Sequence, residues 1–114
     1  IVGVAYKKDI NDCRESPALD IIQILNDLGS KISYYDPFVS SLNFGMLSYK
    51  SLKHLDDNSL SGFDATVIVT NHTDIDYDLI AEHSKLIIDS RNVFKNHLKD
   101  NIFRLGEGNN SFSK

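Results

Sequence analysis

Ser16-Pro17-Ala18-Leu19-Asp20-Ile21-Ile22-Gln23-Ile24-Leu25-Asn26-Asp27-Leu28-Gly29 decides how this chain folds. Serine before proline is a helix start: the hydroxyl caps orphan N–H groups, and proline at the first helical position gives up an N–H that had no partner. Ala18, Ile21, Ile22, Leu25 and Leu28 recur at three-and-four spacing, and Gly29 is the residue through which a helix end most readily turns. The spacing predicts a helix over residues 17–28. Leu19 stands three places after Ser16, so no capping box is expected.

Working outward, Ile1-Val2-Gly3-Val4-Ala5 is an apolar run without alternation, the pattern of a central parallel strand covered on both faces. Gly3 within it implies close approach of another backbone or a ligand. Downstream, Lys31-Ile32-Ser33-Tyr34-Tyr35 reads as a second strand, closed by Asp36-Pro37 because proline cannot continue a central ladder. The three pieces make a β-α-β unit with a crossover long enough for parallel pairing, right-handed by the usual rule. A third strand is expected at Ala65 to Thr70, a short helix at Tyr77 to Glu82, a fourth strand at Leu86 to Asp89 and an edge strand at Asn101 to Leu105. Residues 38–62 show no sustained period beyond a short helix or strand near Leu47 to Leu55. Strands alternating with helices define an α/β fold, a doubly wound, mostly parallel open sheet of Rossmann-like, three-layer type. Residues 1–105 are expected to form one domain, with 106–114 a flexible polar tail.

The bulk properties fit that reading. A chain of 114 residues, 41% hydrophobic and 25% charged, has the length of one domain and is neither disordered nor fibrous in composition. Its net charge of -4 provides no overall basic field for nucleic acid. One cysteine cannot form an internal disulfide, and no apolar run approaches membrane-spanning length, so a reducing, cytoplasmic setting without a membrane span is expected. Ile1 opens in mid-pattern, and the chain is expected to be a piece of a longer protein.

In open α/β sheets ligands bind beyond the carboxyl ends of the strands. The chain offers Tyr6-Lys7-Lys8, Asp36-Pro37, Thr70-Asn71-His72 and Asp89-Ser90-Arg91 there. A dinucleotide site would need Gly-x-Gly-x-x-Gly after the first strand, and Gly3 is the only glycine present. Lys7, Lys8 and Arg14 could instead grip phosphate by side-chain charge, lysine as a point charge and arginine as a fork. The alternative is a solvated loop whose charges pair with one another. Asp36 fits either an acid holding a ribose hydroxyl or an Asp-Pro turn, and the turn is favoured. Cys13 with His72 or His54 as base gives no defensible nucleophile, and His54, His83 and His97 lack metal-ligand spacing, so neither a catalytic residue nor a metal is assigned. A phosphorelay receiver is excluded, because strand one ends in Tyr-Lys-Lys and strand three in Val-Thr-Asn.

Gly3-Val4-Ala5-Tyr6-Lys7, followed by Asp12-Cys13-Arg14-Glu15-Ser16-Pro17-Ala18-Leu19, resembles the carboxyl-terminal domain of the UDP-glucose/GDP-mannose dehydrogenase family. Tyr35-Asp36-Pro37, Val69-Thr70-Asn71-His72 and Asp89-Ser90-Arg91-Asn92 agree, so the resemblance spans nearly the whole chain. Within the family it is most similar to the branch oxidising UDP-N-acetylglucosamine and related UDP-sugars. The resemblance implies an NAD-dependent oxidation of a nucleotide sugar's C6 alcohol to the acid, through two hydride transfers and a thiohemiacetal on an upstream cysteine. It further implies an amino-terminal domain that holds most of the NAD, a homo-oligomer, and a last domain that binds the UDP part and is inactive alone. Surface polysaccharide synthesis is the role it suggests. Tyr6 and Lys7 match the aromatic-lysine pair that contacts the UDP-sugar. Arg14 matches the arginine reaching the NAD pyrophosphate. Arg91 falls in a segment supplying a substrate-contacting arginine, with Asn92 the other candidate. Cys13 matches a variable position, and Asn71 stands where the family more often has Asp. The competing reading is a non-catalytic α/β nucleotide-sensing or protein-interaction module whose basic loop binds a partner's acids.

Overall fold

The computed structural model describes residues 1–97 and 99–105, so the tail expected at 106–114 lies outside the described residues. The described chain falls into two compact units, Ile1–His54 with Val69–Ile75, and Leu55–Ile68 with the residues from Asp76 onward.

In the first unit the helix forms where the sequence predicts it. Helix α1 is Pro17–Asp27, with Ser16 as its N-cap in extended backbone. The Ser16 hydroxyl accepts the Ala18 N–H at 3.1 Å. Beyond the C-cap Leu28, Gly29 takes φ +90°. The Gly29 N–H donates to the Asn26 carbonyl and the Ser30 N–H to the Leu25 carbonyl, both at 3.0 Å. This pair is the Schellman closure, which satisfies two carbonyls the helix leaves open. Ala18 and Ile22 are fully buried, whereas Leu28 is 76% exposed because the helix has already ended there.

The expected strands at 1–5 and 31–35 shrink to extended runs joined by one parallel bridge, Val2 to Tyr35. Around it, Tyr35 N–H donates to the Ile1 carbonyl, Gly3 N–H to the Tyr35 carbonyl and Val69 N–H to the Val2 carbonyl, each at 2.9 Å. The first run is therefore flanked on both sides, as a central strand would be. Its ladder breaks at Gly3, which sits at φ +83°. Beyond it, the Val4 and Ala5 N–H groups donate to the Asp36 carboxylate rather than to a neighbouring strand.

Residues 38–62, where the sequence offered only a short helix or strand near Leu47 to Leu55, hold an antiparallel hairpin. Strands β1, Ser41–Phe44, and β2, Leu47–Lys50, pair from Ser41 opposite Lys50 to Phe44 opposite Leu47. Gly45 at φ +54° opens the two-residue turn. Tyr34 is buried nearby in sequence and its hydroxyl donates to the Val39 carbonyl at 2.8 Å.

The second unit contains helix α2, Asp57–Gly62, closed by a capping box in which Asp56 and Ser59 satisfy each other's backbone. It continues with strand β3 (Thr66–Ile68), helix α3 (Tyr77–His83), strand β4 (Ile87–Asp89) and strand β5 (Ile102–Arg104). The three strands form a parallel sheet in the order β3-β4-β5. The α/β, Rossmann-like class therefore stands, with β5 the edge strand expected near residue 101. Among the described residues no helix is long and apolar enough to cross a membrane.

Candidate functional site

The loop Tyr6 to Glu15 leaves the first buried run and enters α1, and its entrance is tied down on both sides. The Ala5 carbonyl accepts from the Thr70 hydroxyl and from Ser16 Oγ. Across the loop, the Tyr6 N–H donates to the Asp12 carbonyl at 2.7 Å. Tyr6 is half exposed, and Lys7, Lys8 and Arg14 are exposed. One aromatic ring and three cations thus stand in solvent on a loop whose base is fixed.

Arg14 is engaged within the loop. Its Nε and Nη2 donate to the two Asp12 carboxylate oxygens at 3.0 and 2.9 Å. These bonds hold the Asp12 carboxyl down at about 2. Both groups are solvated, so the pair is weak and another anion can exchange for Asp12.

Behind the loop lies a buried polar relay that sequence reasoning missed. Asp36 Oδ2 accepts from the Val4 N–H at 2.8 Å, the Ala5 N–H at 3.2 Å and His72 Nε2 at 2.8 Å. Asp36 Oδ1 accepts the Phe38 N–H at 2.8 Å, which is the Asp-Pro turn. With these donors in place the carboxylate is a structural hub, and the ribose-holding role considered for it is not the one it fills. His72 is fully buried, and its Nδ1 accepts the Asp9 N–H at 2.7 Å. The donor at Asp9 leaves Nδ1 without a proton, so His72 carries its proton on Nε2 and donates to Asp36. The Asp9 carboxylate in turn accepts from the Thr73 N–H at 2.8 Å and the Thr73 hydroxyl at 2.6 Å, which lowers its pKa. The signal in the sequence was weak: Asp36 directly follows the second expected strand, His72 lies two residues past the third, and Asp9 lies four past the first.

Gly3 answers the question its sequence position posed. A Cβ there would lie 2.2 Å from the Thr70 carbonyl oxygen, so the glycine admits a neighbouring backbone and no ligand is needed to explain it. The loop after it offers charged side chains where a dinucleotide needs bare backbone, and these residues do not build a pyrophosphate cradle for NAD. Cys13 is half-buried; burial, then the charges on Asp36 and Asp12, push its thiol pKa up, the reverse of what activates a nucleophile. Both ring nitrogens of His72 are engaged elsewhere, so the Cys13–His72 pairing considered from sequence does not form. Asn71 Oδ1 is buried with no hydrogen-bond partner.

Tyr6, Lys7 and Arg14 share this loop, while Arg91 belongs to the second unit. There, buried Asp89 gathers the Arg91 and Val93 N–H groups on Oδ1, both at 3.1 Å, and the Phe94 N–H on Oδ2 at 2.8 Å. Asn92 takes φ +60° in that turn, a region asparagine tolerates. The Arg91 and Asn92 side chains are both exposed, and the turn presents either of them to solvent.

The parallel sheet β3-β4-β5 with its helices, and a first loop that carries three cations and three acids in place of a glycine fingerprint, define an α/β domain of Rossmann-like type. The chain belongs to the UDP-glucose/GDP-mannose dehydrogenase family: residues 1–96 match the model of its UDP binding domain. A UDP-N-acetyl-D-mannosamine dehydrogenase of Pyrococcus horikoshii is 32% identical over 114 residues, covering 95% of this chain and 25% of the relative. The enzyme of that name from Methanocaldococcus jannaschii is 28% identical, covering 97% of this chain and 27% of its own length. The UDP-glucose 6-dehydrogenase TuaD of Bacillus subtilis is 32% identical over 82% of this chain and 22% of its own. The chain thus spans about a quarter of the length of the curated relatives it matches. No solved structure matches it.

Proposed function

We propose that this chain binds the UDP part of a UDP-sugar for an NAD-dependent 6-dehydrogenase, and that a UDP-N-acetylhexosamine is the substrate oxidised. In this reading Tyr6 and Lys7 contact the UDP-sugar, and Arg91, with Asn92 as the other candidate, is a further substrate-contacting residue. Arg14 meets the cofactor's pyrophosphate after exchanging Asp12 for phosphate. NAD accepts the hydride in such a reaction. It would be held mainly by an upstream domain of the same chain, because the residues here offer it only Arg14. Residues 1–105 would form the UDP-binding domain of a homo-oligomeric, cytoplasmic enzyme that is inactive without its other domains.

The observation that carries the reading is the loop itself: Tyr6, Lys7 and Arg14 exposed on a backbone fixed at its base. A diphosphate is suited to it, since lysine offers a point charge and arginine a planar fork. The relatives' names support the UDP-sugar class and include both N-acetylmannosamine and glucose forms. Titration calorimetry of the 114-residue chain with UDP tests the assignment. The expected result is saturable binding that weakens at least roughly tenfold in Lys7→Ala, the loss of a charge-assisted contact. Equal affinity of the two proteins, or no binding by either at low salt, would contradict it. Reduction of NAD by this chain alone would show that the chemistry belongs elsewhere than proposed.

A further inference from the structure

We propose that Asp9 is a positioning residue for substrate binding: it fastens the loop apex to Thr73 and His72, so that Lys7, two residues earlier, meets the diphosphate of a UDP-sugar. The inference rests on the reading that Lys7 contacts UDP.

Lys7 is an exposed, four-carbon side chain, and its charge is useful to a ligand only if the backbone beneath it is already ordered. Among the described residues, the loop between Tyr6 and Asp12 has one backbone-to-backbone hydrogen bond, from the Tyr6 N–H to the Asp12 carbonyl. The apex is held instead by Asp9, through three bonds of 2.6 to 2.8 Å: its N–H to His72 Nδ1, and its two carboxylate oxygens to the Thr73 hydroxyl and N–H. Asp9 sits at φ +64°, a region that aspartate, like asparagine, enters more readily than most residues. An ordered relay holds it there. Buried Asp36 accepts the Nε2 proton of His72, which leaves Nδ1 to accept from the Asp9 N–H. Turned toward Thr73, the Asp9 carboxylate is occupied by the Thr73 hydroxyl and N–H, so Lys7 remains open to an external anion.

The test is a double-mutant cycle by UDP titration on the full chain: parent, Asp9→Ala, Lys7→Ala, and both together. The Asp9 side chain is 40% exposed, so Asp9→Ala is expected to fold, with thermal unfolding as the check. With Lys7 present, Asp9→Ala should weaken UDP roughly tenfold, the size of coupling between neighbours. Without Lys7 it should change affinity by less than about twofold. Thr73→Val, which removes the hydroxyl and keeps the N–H, should give a smaller loss in the same direction. An equal loss in both backgrounds, or none with Lys7 present, overturns the proposal. If Lys7→Ala binds too weakly to measure, amide resonances decide: Asp9→Ala must shift or broaden residues 6–12 while sparing α1, and an unaltered loop overturns it. Absence of UDP binding by the parent would instead refute the reading of Lys7, and this inference with it. Parent binding that Asp9→Ala leaves intact refutes the role of Asp9 alone.

Discussion

Gly3 shows how one residue can be fixed by packing alone. Its positive φ and the 2.2 Å separation between a notional Cβ and the Thr70 carbonyl oxygen act together, so no side chain can be accommodated without moving backbone. Gly3→Ala is expected to cost about 3 kcal/mol or more, measured as a drop in denaturant midpoint. Tyr34 carries a second consequence. Burial, then the charge on Asp36, push its hydroxyl up to about 12. A folded pKa raised above the unfolded value of about 10 gives stability that is complete below pH ~10 and lost as pH rises through about 12. Unfolding measured across that window should show this loss in the parent and a smaller one in Tyr34→Phe, where Tyr35, also raised by burial, remains. At Asp12 the sign is opposite. Its carboxyl should titrate near about 2 in a carbon-detected titration and return toward about 4 in Arg14→Ala, where the fork that holds it is gone. A carboxyl unmoved by Arg14→Ala would show that the pair does not persist in solution.

At the scale of elements, what could be read from the sequence depended on who satisfies the backbone. Helix α1 was legible from Ser16 to Gly29 because its apolar period, N-cap and C-terminal glycine are all local signals. Gly29 at φ +90° has open space around its Cβ position, so Gly29→Ala should cost only the conformational part, about 1 kcal/mol, and leave ligand binding unchanged. Ser16→Ala should cost about 2 kcal/mol, since one hydroxyl both caps Ala18 and donates to the Ala5 carbonyl. The first two strands were placed correctly but read too regularly. Their apolar runs are real, yet the Val4 and Ala5 N–H groups go to the Asp36 carboxylate, a long-range partner that no local pattern announces. A strand near Leu47 was one of two alternatives, but β1 and the hairpin pairing were missed because the strands are four residues each, lie among serines, and turn through Gly45-Met46 rather than an Asn-Gly signal.

For the molecule as a whole, the sequence motif and the structure contribute different halves. Composition offered no overall basic field for nucleic acid, and the absent glycine fingerprint turned attention to the charges of the Tyr6–Pro17 loop. The loop's cations could be named from sequence; the relay through Asp9, His72 and Asp36 could not, because it joins residues 63 and 36 positions apart. The family match assigns the chain to a UDP binding domain, and the geometry shows which exposed groups could meet a diphosphate. The most direct measurement is an amide NMR titration of this chain with UDP. The largest shifts are expected across Tyr6, Lys7 and Asp9, saturating together and collapsing in Lys7→Ala. Saturable shifts confined to residues outside the loop, or a loop left unmoved at saturating UDP, would contradict the claim that this loop is the UDP-binding site.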